Sequence, residues 1–333
     1  MKTRTDVSIQ EFGAEVILRN LGALEQEFEG VRQGVDIEAI HRMRVASRRL
    51  RAALPIFGPA VAAKKHESWT QNIRALTLAL GAARDCDVQI EHVQTFFLAQ
   101  PPGIIRSGIR RLLLRLRQRR QRLQQAVEKA LSDLVKSDVP MEMERKLHPL
   151  LDGMETTPRS PALCSLSFQT IRQNLEQFLY FEPFVQVPEN IKELHAMRIA
   201  AKHLRYTMEI FSPVYESELK VHLKAMRQIQ EMLGEIHDCD VWMLYLPKFK
   251  ERERQRTVQF FGYERPFRRL LPGLDAYFSD RSAAREETYA EFLEKWQGWR
   301  QEGLWDQLIN EVSALCISLP PQAKPLPPSI HAQ

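Results

Sequence analysis

Apolar residues recur along this chain every three or four positions: Leu50, Leu54 and Phe57 in one stretch, Ile105, Ile109, Leu112 and Leu116 in another. That is the period of a helix with one buried face. Glycine is scarce, and β-branched alternation never extends beyond a few residues. The expected fold is therefore all-α, with helices over 8–30, 36–57, 64–80, 86–98 and 104–135, then 165–182, 189–211, 216–234, 239–250 and 276–300. Pro55 with Gly58-Pro59, and Ser212-Pro213, read as helix stops, because proline lacks the amide proton and clashes with the preceding turn. Asp85 and Asp238 read as residues that begin helices, where a carboxylate accepts from free backbone amides.

The same pattern is written twice. His41-Arg42-Met43-Arg44-Val45-Ala46-Ser47-Arg48-Arg49-Leu50-Arg51 returns as His195-Ala196-Met197-Arg198-Ile199-Ala200-Ala201-Lys202-His203-Leu204-Arg205. Both copies run on to an Ile-Phe pair, Ile56-Phe57 and Ile210-Phe211. A second echo follows in the same order: Leu80-Gly81 through Asp85-Cys86-Asp87-Val88 against Leu233-Gly234 through Asp238-Cys239-Asp240-Val241. A duplication predicts two pseudo-symmetric bundles of about four helices each, over 1–155 and 160–319. Gly153 to Pro161 reads as the linker, and 320–333 as a Pro-rich disordered tail.

Charge changes the picture of the repeated helix. At 100° per residue, His41, Arg44, Arg48 and Arg51 share a stripe about 80° wide, opposite the apolar face of Met43, Ala46, Leu50, Leu54 and Phe57. His195, Arg198, Lys202 and Arg205 form the same stripe in the second copy. Lys220, Lys224 and Arg227 form a further basic group on the helix that follows; the aligned first-copy residues are Glu67, Gln71 and Arg74. Like charges stacked along one helix face repel, by about 0.2–0.5 kcal/mol per pair. Acids from another helix or an anionic ligand must offset them. Arginine suits phosphate because its planar fork makes paired, charge-assisted hydrogen bonds. The net charge is only +5, but no acid occurs from His92 to Val127, where eight arginines fall between Arg106 and Arg122.

The 333 residues suffice for two domains. No apolar run approaches the ~18 residues of a membrane span, and no apolar signal region follows the polar Met1 to Gln10. A cytoplasmic protein without a membrane partner is the expectation. Four cysteines are too few and scattered for a disulfide framework; Cys86 and Cys239, at equivalent places, read as small buried side chains.

The pattern His-x-x-Arg-x-x-x-Arg/Lys-x-x-Arg, present twice and each time followed by Leu-Gly-x-x-Arg/His-Asp-x-Asp-Val, resembles the CHAD domain family over about residues 10–310. The resemblance implies two helical bundles with a basic surface or channel between them. It implies binding of inorganic polyphosphate, and association with polyphosphate granules. Carried over, the ligand contacts fall on His41, Arg44, Arg48, Arg51, His195, Arg198, Lys202 and Arg205, with Lys220, Lys224 and Arg227 as looser additions. His237 stands where the first copy has Arg84, and Glu67 and Gln71 leave the first half short of cations, so the two halves are expected to bind unequally. Some members are fused to a triphosphate tunnel domain with a Glu-x-Glu-x-Lys strand, and Glu142-Met143-Glu144-Arg145-Lys146 matches that string. A tunnel needs many alternating charged strands, and the flanking Pro149, Pro158 and Pro161 argue instead for a short helix or loop.

The expected activity is non-catalytic binding of polyphosphate or another phosphate-rich anion, with no catalytic residue, metal or cofactor. One alternative is a Mg-dependent phosphoryl-transfer or polyphosphate-hydrolysing enzyme using Asp85 with Asp87 and Asp238 with Asp240; the chain has no Gly-rich phosphate loop ending in Lys-Ser/Thr. The other is a nucleic-acid-binding protein. Tyr206 is the only aromatic within the basic stripes, however, and base stacking needs more.

Overall fold

The computed structural model describes residues 6–34, 36–151, 160–215 and 217–318. The tail 320–333 and most of the expected linker lie outside the described residues. The elements are α1 (Val7–Glu25), α2 (Phe28–Gln33), α3 (Ile37–Val61), α4 (His66–Ala99), α5 (Ile104–Lys136), α6 (Val139–Leu147), α7 (Pro161–Leu179), α8 (Ile191–Tyr215), α9 (Lys220–Phe261), α10 (Arg265–Arg268), α11 (Leu271–Gln301) and α12 (Leu304–Ser318), with two short 3-10 turns. No strand occurs among the described residues. The fold is all-α, as the periodicity predicts.

The larger core joins the apolar faces of α1, α3, α7, α8 and α12 with the first part of α4 and α9. Its centre is where the two repeated helices meet. Phe57 and Phe211, the last residues of the two echoes, touch edge to face with ring centroids 5.7 Å apart. Phe12 of α1 stacks on Phe211. Gly13 makes this approach possible: a Cβ there would lie 2.7 Å from that of Phe57. Burying a phenylalanine contributes about 1.5–3 kcal/mol, so this trio sets how α3 and α8 face one another. A second core lies further out, between the distal parts of α4 and α5 and those of α9 and α11, around Leu112, Leu116, Trp242 and Tyr277. There α5 and α11 cross at bare backbone. A Cβ on Gly108 would sit 2.1 Å from the Leu270 carbonyl oxygen, and one on Gly273 2.0 Å from that of Ile105.

Five local expectations are corrected. The helices expected over 64–80 and 86–98 are one 34-residue helix, α4. Those expected over 216–234 and 239–250 are one 42-residue helix, α9. Asp85 and Asp238 therefore sit inside helices and begin nothing. A glycine in a helix costs about 1 kcal/mol, and the continuous buried rows Leu80, Ala83 and Cys86, and Leu233, Ile236 and Cys239, offset it. The prolines do not stop their helices either: α3 runs through Pro55 and Pro59, and α8 through Pro213. Pro55 and Pro59 are exposed, so water reaches the carbonyls they leave unpaired, while Leu54 and Phe57 anchor the opposite face. Conversely, the single helix expected over 8–30 breaks at Gln26–Glu27.

The Glu142-x-Glu144-x-Lys146 string lies on α6, a helix. Glu142 accepts from Trp69 Nε1 at 3.0 Å and pairs with Lys65 at 3.1 Å. It ties α6 to α4 and has no tunnel around it.

Candidate functional site

Because α3 and α8 turn their apolar faces into the core, their basic stripes emerge on the other side. The continuous α4 and α9 flank them. Together they enclose a groove of about 510 Å³ lined by His41, Arg44, His195, Arg198 and Lys202 from the two stripes. The α4 and α9 walls add Arg84, Asp85, Glu235, His237 and Asp238, and α11 adds Arg281. Gly81 lies against Arg44 and Gly234 against Arg198: a Cβ at either place would sit 3.9 and 3.6 Å from the two Nε atoms, in ordinary contact. The Leu-Gly of the second echo thus packs beside the arginine of the first.

The stripe residues divide. Arg48 does not line the groove; it stands near Lys202, over the ring of Tyr206 at 5.4 Å, where Arg205 also stacks at 4.8 Å. Arg205 is already engaged, donating to Glu209 at 2.6 Å and to Gln230 at 3.0 Å. Arg51 lies beyond the groove, near Arg74. Lys220, Lys224 and Arg227 are exposed on α9 and do not line the groove. Arg227 instead borders a separate hollow of about 300 Å³ with Arg19, Arg49 and Glu209.

Electrostatics in the groove are those of cations without enough partners. Lys202 is pushed down to about 7, first by burial and then by Arg48, Arg198 and Arg44. Arg48 is pushed down to about 10, burial again leading, and stays charged at neutral pH. Burial and then Arg84 hold His41 below the ordinary imidazole range; burial and then Arg198 do the same to His195. His195 and His237 share one hydrogen bond, Nδ1 to Nδ1 at 3.0 Å, so one ring donates and the other accepts. His237 is pushed down to about 4 by burial, His195, Arg198 and Lys202. Each effect is the cost of charging a group among like charges away from water. His41 Nδ1 and Arg198 Nε are buried without a hydrogen-bond partner, a cost of about 1–3 kcal/mol for each such group.

The carboxylates present do not balance this. Asp85 reaches Arg44 at 3.2 Å but is 66% exposed, so that pair is weakly held. Asp238 is pushed up to about 6 by loss of surrounding water, with Glu235 and Asp85 adding to it against the pull of Arg198. Glu235 is occupied by Arg281 at 3.0 Å. The second aspartate of each echo points away from the groove and is structural: Arg120 donates to Asp87 at 2.6 Å, and Arg285 pairs with Asp240. Cys86 and Cys239 are buried, as expected.

Several groove residues escaped the sequence reading. Arg84, Asp85, His237 and Asp238 face the stripes only because α4 and α9 continue unbroken. Arg281 left no repeat signal: four residues before Arg285 stands Arg281, but four before its counterpart Arg120 stands the buried Leu116.

Comparison with known proteins follows the same lines. Residues 15–247 match the CHAD domain family. Among solved structures, the chain is similar to the crystal structure of the CHAD domain from the plant Ricinus communis. The TM-score is 0.58 at 23% identity, covering 96% of this chain and 95% of that one. It is also similar to PptA from Streptomyces chartreusis, at TM-score 0.57 and 14% identity, covering 86% and 99%. No curated protein matches.

Proposed function

The chain belongs to the CHAD domain family, and from that premise we propose that it binds inorganic polyphosphate, without catalysis, in the groove between α3–α4 and α8–α9. What carries the reading is the convergence of His41, Arg44, His195, Arg198 and Lys202, from two distant stretches of sequence, on one groove. That groove holds more cations than acids and keeps two buried nitrogens, Arg198 Nε and His41 Nδ1, without a hydrogen-bond partner. A chain of phosphates supplies oxygens at short, regular intervals. Each takes up a donor, and the added charge relieves the mutual repulsion of the guanidinium groups. Lys202 lines the path, and Arg48 stands near it. Arg51 and Arg205 lie past it; the α9 group Lys220, Lys224 and Arg227 stands outside and serves at most the overhanging parts of a long polymer.

The two halves, 1–155 and 160–319, act as duplicated units that each contribute one stripe. The proposed setting is the cytoplasm, with polyphosphate granules as a destination. Nucleic acid fits the groove less well: Tyr206, the aromatic within its stripes, is 7% exposed and covered by two arginines, so it offers no stacking platform for bases there.

Calorimetric titration with long-chain polyphosphate tests the reading. Wild type should bind, with affinity falling steeply as salt rises, since each neutralised phosphate releases a counterion. Short chains should bind more weakly. An Arg44→Glu/Arg198→Glu variant that folds normally and titrates like wild type would refute the assignment.

A further inference from the structure

The end of the molecule formed by the close of α9, by α10 and by the start of α11 carries a feature the groove does not use. Phe260 is 81% exposed, Tyr263 57% and Phe261 49%. Phe260 and Phe261 pack edge to face at 4.8 Å, and Phe261 lies 6.3 Å from Tyr263 across Gly262. Gly262 takes φ +77, the left-handed conformation that favours glycine, and reverses the chain so that the rings on both sides of it are exposed. Three adjacent exposed aromatics at the tip of a helical hairpin form an uncommon surface patch. The underlying turn is well tied, with Gly262 N donating to the Val258 carbonyl at 2.8 Å and Phe267 buried beneath it.

The charge around these rings is one-sided. Residues 248–269 include eight Lys or Arg and three Glu. Of the three acids, Glu253 is fully buried and already met by Arg111 and Arg115 of α5 and by Arg256. Glu251 pairs with Arg254, and Glu264 with Arg268. Arg265 and Arg269, two and six residues after Tyr263, are exposed and have no ion-pair partner among the described residues. Aromatic side chains flanked by cations suit the boundary between lipid headgroups and acyl chains. The rings sit at headgroup depth and the cations meet the anionic phosphates. Rings exposed at the end of a helical hairpin, beside unpaired cations, suit the flat charged face of a bilayer.

We propose that the Phe260–Phe261–Tyr263 tip docks this protein peripherally on an anionic phospholipid surface. The expectation of no membrane partner rested on the lack of a spanning segment, and no helix among the described residues is long and apolar enough to span. A three-ring tip leaves no trace in such a search. The proposal does not depend on what the groove binds.

The test is co-sedimentation of the full chain with vesicles of phosphatidylcholine alone and of phosphatidylcholine with one quarter phosphatidylserine. Wild type should partition at least about tenfold more strongly onto the serine-containing vesicles. A Phe260→Ser/Phe261→Ser variant and an Arg265→Glu/Arg269→Glu variant should each lose about tenfold of that partitioning. Both should keep the wild-type melting temperature and polyphosphate affinity. Arg44→Glu/Arg198→Glu should still sediment with the vesicles, which separates the tip from the groove. Equal partitioning onto both vesicle types, or tip variants that bind like wild type, would overturn the proposal. So would sedimentation velocity showing a wild-type dimer that the Phe260→Ser/Phe261→Ser variant disperses, since a second copy would then be the occupant.

Discussion

The two walls of the groove descend from the same pattern, yet they hold charge differently. On the α3–α4 side, Arg44 and Arg84 stand near His41 and Arg48 stands near Arg44; all three are guanidinium groups, and Arg48 remains a cation even when pushed down to about 10. On the α8–α9 side, lysine replaces Arg48 and histidine replaces Arg84. There Lys202 falls to about 7 and His237 to about 4, each chiefly through burial. Arg205 is neutralised by Glu209, whereas Arg51 faces Arg74 and His203 and has no ion-pair partner among the described residues. One wall carries mainly guanidinium groups beside His41, and the other a lysine and two imidazoles that burial pushes toward their neutral forms. The lesson is that two stripes of the same spacing can differ in how far burial discharges their side chains.

The largest effect should come from breaking both walls at once. Each charge-assisted hydrogen bond contributes about 1.5–3 kcal/mol, so Arg44→Glu/Arg198→Glu should weaken polyphosphate binding at least ~100-fold. Each single substitution should cost about tenfold, and similar losses on both sides in calorimetry would mark one shared path.

The next effect sharpens the asymmetry. A bound anion favours the charged forms of Lys202, His195 and His237, so binding takes up protons where the free protein lacks them. Affinity should rise about tenfold as pH falls from 8 to 6. Lys202→Arg/His237→Arg makes the second wall resemble the first and should flatten that profile. An unchanged slope would place the titrating groups elsewhere.

Stability of the ligand-free protein should move in the opposite sense. Lys202 has a folded value of about 7 against 10.5 when unfolded, so the unfolded chain binds the extra proton between them. Stability then rises with pH through that window. The melting temperature should climb by a few degrees from pH 7 to 9, and Lys202→Met should remove the rise. Below pH 6 the effect is mixed, because Asp238, pushed up to about 6, acts against His237.

The smallest effect concerns Arg205. Glu209→Gln releases its guanidinium from a partly screened ion pair and should improve polyphosphate affinity about two- to threefold, within the worth of such pairs. No change at low salt would place Arg205 outside the ligand path.

Much of this was legible in the chain itself. The all-α fold followed from apolar spacing, because one buried face at a period near 3.6 is a local requirement. The stripes followed from the same wheel: once Leu50, Leu54 and Phe57 face inward, Arg44 and Arg48 must face out. The site's other half was not legible. Asp85 and Asp238 looked like helix starts because glycine and aspartate together weaken a helix locally. Only packing against α5 and α11, which buries Ala83, Cys86, Ile236 and Cys239, makes α4 and α9 continuous. That continuity alone turns Arg84 and His237 toward the stripes. Likewise the sequence determined that His41 and His195 each begin a ladder of cations. It did not determine that the ladders face the same opening, or that Arg205 and the α9 group Lys220, Lys224 and Arg227 fall outside it. Which side a helix shows depends on its own residues; which sides meet depends on contacts between residues far apart in the chain, here Phe57 on Phe211 and Gly108 against Leu270.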